Sequence, residues 1–174
     1  MPTTRAEIVS NAERVFDHHG FAATGMDLLT EAAGVSTRTL YKHLGSKAGL
    51  MAAVLESRMA RFFERFDVHG VAALFEALDD WTAAEGARGC LFLRAEGETG
   101  GQPPEVSAVV AEYRGRLREL TRRVIVDELG RPDEELAEQL LVLFEGATSA
   151  ASYLGTRAIA AARNASLSLI RQAR

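Results

Sequence analysis

A chain of 174 residues, 47% hydrophobic and 25% charged, has enough apolar sequence to bury a core, in one ordinary domain or two small ones, which excludes a disordered chain. The formal net charge of -4 excludes a generally basic nucleic-acid coat, so any contact with a polyanion must come from a local patch. The single cysteine, Cys90, excludes an internal disulfide and fits a reducing cytoplasm, and no apolar run approaches the length of a membrane span.

The first predicted helix opens on Thr3-Thr4-Arg5-Ala6-Glu7, with Thr as cap and Glu near the third position, and charged Arg5 and Glu7 leave no signal-peptide core. Ile8, Ala12, Val15, Phe16 and His19 form its stripe, and Gly20 closes it. His18 and His19 are adjacent, so on a helix they point about 100° apart and cannot chelate one metal together. No metal site or cofactor is expected anywhere in the chain. Phe21 is placed to plug a core, and Thr24, three residues before Asp27, is expected to cap a second helix over residues 25–33.

Gly34 suits the left-handed position that ends a helix. Val35 then anchors a turn and Ser36 caps a new short helix. On that helix Leu40 and Leu44 lie four apart and share an inward face, whereas Arg38, Thr39, Lys42 and His43 lie largely on the other. Gly45 ends it, and Ser46 caps the next helix, whose first turn carries Lys47. A cation there opposes the helix dipole, a conflict that a phosphate would remove. Two helices joined by a tight turn, the second short and studded with Thr, Arg, Tyr and Lys, form the arrangement that places a recognition helix in the major groove. A solvated helical face between two loops has the same local pattern. Two counts favour DNA: the only lysines are Lys42 and Lys47, and residues 32–55 contain no Asp or Glu.

From Ser46 the pattern Leu50, Val54, Leu55, Arg58, Met59, Phe62, Phe63, Phe66 runs without a breaker to about Asp67, a helix about 30 Å long. It is the natural mechanical link between two regions. His69-Gly70 breaks it, and a helix over residues 71–84 turns Val71, Leu74, Phe75, Leu78 and Trp81 inward. Cys90-Leu91-Phe92-Leu93 is too short for periodicity to tell helix from strand, but the surrounding helices favour helix. Residues 96–104, with three glycines and two prolines, are expected to form a loop. Helices over 104–129, 134–154 and 156–172 complete the chain. The first of these bears Arg114, Arg116, Arg118, Arg122 and Arg123, a run read as a solvated face paired with Glu112 and Glu119. The second ends in the small-residue stretch 146–152, which permits another helix to approach closely.

Residues 8–55 resemble the TetR/AcrR-type bacterial transcriptional regulators. The match lies in Phe16, Gly20-Phe21-Ala22-Ala23-Thr24, Glu31-Ala32-Ala33-Gly34-Val35-Ser36, Thr39-Leu40-Tyr41, and Ser46-Lys47 with Leu50. The chain departs from the family pattern at Leu44, where Phe is commoner, at Thr30, where Ala is usual, and at Leu28, where a polar residue is frequent. The resemblance implies an all-α fold: an N-terminal three-helix helix-turn-helix DNA-binding domain (1–47) joined by a long helix to a C-terminal helical ligand-binding and dimerisation domain (48–174). It also implies a double-stranded DNA operator, an unknown small-molecule effector and a homodimer through the last two helices. Pairing would let two short recognition helices meet half-sites roughly 34 Å apart. Without the resemblance, ordinary intramolecular packing explains those helices equally well.

On this reading Thr24, Ser36, Tyr41, Lys42, His43 and Lys47 contact phosphates, and Thr37, Arg38 and Thr39 face base edges, with Arg38 the candidate for guanine. An apolar pocket is expected among Phe62, Phe66, Phe75, Leu78, Trp81, Phe92, Tyr113, Leu117, Phe144 and Thr148, although core packing accounts for the same side chains. The expected function is a cytoplasmic transcriptional repressor released from a palindromic operator by its effector. The alternative is a helical adaptor or partner-binding protein. An enzyme is not expected: there is no Gly-x-Ser-x-Gly elbow, no metal-ligand spacing, no Walker order, and Cys90 has no identifiable base.

Overall fold

A computed structural model describes residues 4–174, which form nine helices and no strand: α1 (Arg5–His19), α2 (Met26–Ala33), α3 (Thr37–Leu44), α4 (Lys47–Arg65), α5 (Val71–Glu85), α6 (Leu91–Thr99), α7 (Pro104–Leu129), α8 (Glu134–Leu154) and α9 (Thr156–Ala173). The all-α expectation holds. Most ends lie where local chemistry puts them. Thr4 caps α1 in a reciprocal box with Glu7, Gly20 closes it at φ 82°, and Asp133 caps α8 by accepting from the Leu136 amide.

Two expectations are corrected. Residues 96–99 continue α6, so the loop shrinks to the residues before Pro104, and Thr99 is held in the helix by its hydroxyl donating to the Ala95 carbonyl at 2.7 Å. Thr24 does not cap α2: Gly25 occupies the cap position without a side-chain bond, and the Thr24 hydroxyl instead donates to the Gly20 carbonyl at 2.5 Å. The turn between α1 and α2 thus closes on itself, and the capping pattern, though present in sequence, is not used.

The chain divides into two compact units. The first holds Met1–Ala60 and Leu91–Glu112, and the second holds Arg61–Cys90 and Tyr113–Arg174. The chain passes from one to the other within α4 and again within α7.

In the first unit, Ile8, Ala12, Phe16, Phe21, Leu29, Leu40, Leu50, Val54 and Leu55 are fully buried, and the Phe16 and Phe21 rings stack at 4.7 Å. Burial of each Ile, Leu, Val or Phe side chain among them is worth about 1.5–3 kcal/mol, which is what holds three short helices that would not persist alone. His19, expected on the inner stripe of α1, is exposed.

In the second unit, α8 packs along α9 and α5 along α9. Its centre is aromatic: Phe62 stacks on Phe66 at 4.1 Å and meets Trp81, Tyr113 and Phe144 edge-on at 5.2, 5.6 and 6.3 Å. Edge-on and stacked rings add to the gain from burial because each edge meets a neighbour's face.

Candidate nucleic-acid interface

The interface is assembled by three glycines and two serines around an eight-residue helix. Gly34 ends α2 at φ 63° and ψ 32°, its amide reaching back to the Glu31 and Thr30 carbonyls. The chain then turns, and Ser36 caps α3 by accepting from the Thr39 amide at 3.2 Å. Gly45 closes α3 at φ 75°, and Ser46 starts α4 by accepting from the Gly49 amide at 2.9 Å. Leu40 and Leu44 are buried beneath. With both ends capped and one face anchored, the opposite face is left to solvent.

That face carries Thr37, Arg38, Tyr41, Lys42 and His43, all exposed. Ser36 is exposed too, its hydroxyl 2.9 Å from that of half-buried Thr39, so these two side chains are tied to each other at the start of the helix. Lys47 is half-buried and donates to the Phe21 carbonyl at 2.8 Å, which gives its charge a partner inside the protein. Thr24 lies apart from the exposed set, at 1% exposure with its hydroxyl in the α1–α2 turn. The acid-free run 32–55 therefore presents Arg38 and Lys42 on an open face with no carboxylate of its own to neutralise them.

The sequence-predicted pocket residues are distributed differently. Phe62, Phe66, Phe75, Trp81, Tyr113 and Phe144 converge in the second unit, ring on ring, and Leu78 and Leu117 are fully buried there. Thr148 is half-buried, and its hydroxyl donates to the Phe144 carbonyl at 2.9 Å. Phe92 belongs to the first unit. Two open grooves mark the surface of the second unit. One of about 490 Å³ is lined by Phe75, Glu76, Asp79, Thr156, Ile159 and Arg163 among others, and one of about 330 Å³ by Arg61, Glu64, Arg65, Trp81, Ala84 and Glu85.

Sequence reasoning did not find the contacts of Arg58, Arg94, Glu98 and Gly49 that hold the reading unit together. Arg58 pairs with Glu13 at 2.9 Å, and Arg94 donates to the Asp17 carboxylate and carbonyl, each at 3.2 Å. Glu98 accepts from two amides of the α1–α2 turn. Gly49 lies where an added β-carbon would overlap the Leu44 carbonyl oxygen. Only Gly49 left a trace in the sequence, since glycine inside a helix is unfavourable unless something packs close.

Residues 8–54, which contain the whole of this helix-turn-helix, match the family described as bacterial regulatory proteins, tetR family. Residues 8–54 thus carry a TetR-type DNA-binding domain. This domain is also shared with relatives of known designation. The HTH-type transcriptional regulator UidR of Escherichia coli (strain K12) is 29% identical over 112 residues, 62% of this chain and 57% of UidR. The HTH-type transcriptional repressor ComR of the same strain is 36% identical over 87 residues, 46% of this chain and 40% of ComR. The matches thus span 57% of UidR and 40% of ComR, less than two thirds of either relative. At the level of fold the likeness extends further: SCO4454, a TetR-family transcriptional regulator from Streptomyces coelicolor, superposes with a TM-score of 0.87 at 22% identity, covering 97% of this chain and 94% of that one. UidR and SCO4454 are both designated transcriptional regulators. Among the described residues, no three His, Cys, Asp or Glu side chains gather in a metal-binding group, and no helix is long and apolar enough to cross a membrane.

Proposed function

We propose that this protein is a sequence-specific DNA-binding transcriptional regulator, a cytoplasmic homodimer that represses from a palindromic operator and is released by a small-molecule effector. The observation that carries the reading is the outward face of α3, where Thr37, Arg38, Tyr41, Lys42 and His43 stand exposed over buried Leu40 and Leu44. Arg38, with Thr37 and Thr39, faces base edges. Ser36, Tyr41, Lys42, His43 and Lys47 set the register on phosphates, and Thr24 does so only if its turn opens. Residues 1–47 hold the DNA, and residues 48–174 take the effector and pair the protomers.

Pairing is supported by α8. Val142 and Tyr153 are 69% and 75% exposed, and with exposed Gly146 and Ser149 they recur at spacings of four, three and four residues along one face. Two large apolar side chains flanking small ones suit the close approach of a second copy's helix. The aromatic cluster around Phe62 and Phe144 is the place where an effector would act, by favouring a packing that spoils half-site spacing. A coupling of roughly 1–3 kcal/mol is the usual scale. Helix α4, which begins at Lys47 and ends beyond Phe62 and Phe63, is the lever.

A gel shift on DNA flanking the protein's own gene tests the reading. A shifted band that footprints to a palindrome is expected, and loss of occupancy with some metabolite extract identifies release. Absence of any shift at low salt would return the adaptor reading to first place.

A further inference from the structure

We propose that Glu98, together with Lys47, is a positioning residue of the DNA-reading unit, clamping the α1–α2 turn on which the seat of α3 depends. The inference rests on the DNA-binding role argued above. Glu98 lies on α6, 77 residues from the turn it grips, yet one carboxylate oxygen accepts from the Phe21 amide at 2.5 Å and from the Ala22 amide at 3.1 Å. On the other side of the same residue, the Lys47 ammonium donates to the Phe21 carbonyl at 2.8 Å. The backbone of Phe21 is therefore held between an anion and a cation from two distant segments, each bond assisted by charge.

The surroundings are fitted to this contact. Gly20, at φ 82°, leaves space where a β-carbon would lie 2.7 Å from the Glu98 oxygen. Arg94, one turn before Glu98, places its guanidinium 3.8 Å from the other carboxylate oxygen while bonding Asp17 near the end of α1. Helix α6 thus holds the end of α1 through Arg94 and the following turn through Glu98. Phe21 is the buried plug of the reading unit and stacks on Phe16, and α2, which carries α3, starts five residues later. An eight-residue helix cannot set its own orientation, so α3 takes its aim from this seat.

The role has an unusual sign. Removing an acid from a DNA-binding unit strengthens its attraction for phosphates if charge alone matters. A positioning role predicts the reverse for the specific complex.

The test compares wild type, Glu98→Ala and Glu98→Gln in the 174-residue chain. The probes are a duplex selected by the wild-type protein from a randomised library and a random-sequence duplex, each titrated at several salt concentrations. Glu98→Ala is expected to bind the selected duplex about tenfold more weakly, with the salt slope unchanged and random-duplex binding undiminished. Glu98→Gln keeps an accepting oxygen and is expected to stay within about threefold of wild type. Amide exchange at Phe21 and Ala22, measured without DNA, should quicken in Glu98→Ala while amides of the second unit keep their protection, which also excludes general unfolding. Unchanged exchange at those two amides overturns the clamp, and selected-duplex binding as tight as wild type or tighter overturns the positioning role. If the wild type selects no duplex, the DNA-binding reading fails while the exchange result still decides the clamp.

Discussion

Glu13 on α1 and Arg58 on α4 form an ion pair at 2.9 Å with each residue only 6% exposed, so the two helices that bracket the recognition element are joined by buried opposite charges. A pair of this kind adds little net stability, because desolvation offsets the attraction, but breaking it strands a charge. Arg58→Met is expected to lower the unfolding free energy by about 3 kcal/mol. Adding Glu13→Leu should recover most of that loss. Urea titrations of the two single variants and the double variant check this, and simple additivity would refute it.

Arg38 and Lys47 should fail in different ways. Arg38→Ala is expected to cost about 1–3 kcal/mol on the selected duplex and to relax sequence preference, leaving random DNA unaffected. Lys47→Ala should weaken both DNAs and lower the salt slope by about one, with a further loss on the selected duplex because Lys47 also positions Phe21. It should also lower the thermal midpoint, because its ammonium holds the Phe21 carbonyl. Lys42, exposed on α3, should show the slope change without the loss of stability. If Lys47→Ala titrates like wild type on both duplexes, its phosphate role is wrong.

Gly49 inverts an ordinary rule. Glycine to alanine inside a helix usually stabilises by roughly 0.8–1 kcal/mol. Here the new methyl group would overlap the Leu44 backbone carbonyl, which has no rotamer by which to escape. Gly49→Ala is therefore expected to be destabilising and to weaken operator binding by shifting α3 against α4. A raised melting temperature in calorimetry would count against the close approach.

The exposed face of α8 predicts the oligomeric state. Val142→Arg combined with Tyr153→Ser should give a monomer in sedimentation experiments and abolish tight binding to a palindrome, while contact with a single half-site survives weakly. Gly146→Leu should act in the same direction by blocking close approach, since the position is exposed and tolerates the side chain within one protomer. A dimer that persists in both variants would place the interface elsewhere.

The start of α1 carries a pH signature. The Thr4 backbone amide first, and then its hydroxyl, hold the Glu7 carboxyl below its ordinary value. A carboxyl depressed in the folded state contributes stability that is present above its unfolded value and is lost as pH falls through the folded one. The first turn of α1 should therefore fray in acid, and earlier in Thr4→Ala, where the cap is missing. Carboxyl-carbon NMR titration of Glu7 measures the value directly, and an unshifted midpoint would contradict the capping box.

The helices were legible in the amino-acid order because their signals are local. Thr4 with Glu7, Gly34 before Ser36, Gly45 before Ser46, and Asp133 after Gly130 act within one turn of the bonds they make, so spacing alone implies geometry. The outward face of α3 follows in the same way from the four-residue interval between Leu40 and Leu44. What the tertiary structure alone decided was where polar side chains find their partners and whether aromatic ones meet each other. Thr24 had a capping pattern and bonded Gly20 instead, Lys47 met a carbonyl, and Glu98 reached Phe21 across 77 residues. Phe62 and Phe144, equally compatible by sequence with a pocket wall or a packed core, were brought edge to face by helices whose order in the chain says nothing of that distance. Periodicity states which side of a helix is apolar, but only the fold determines what lies opposite.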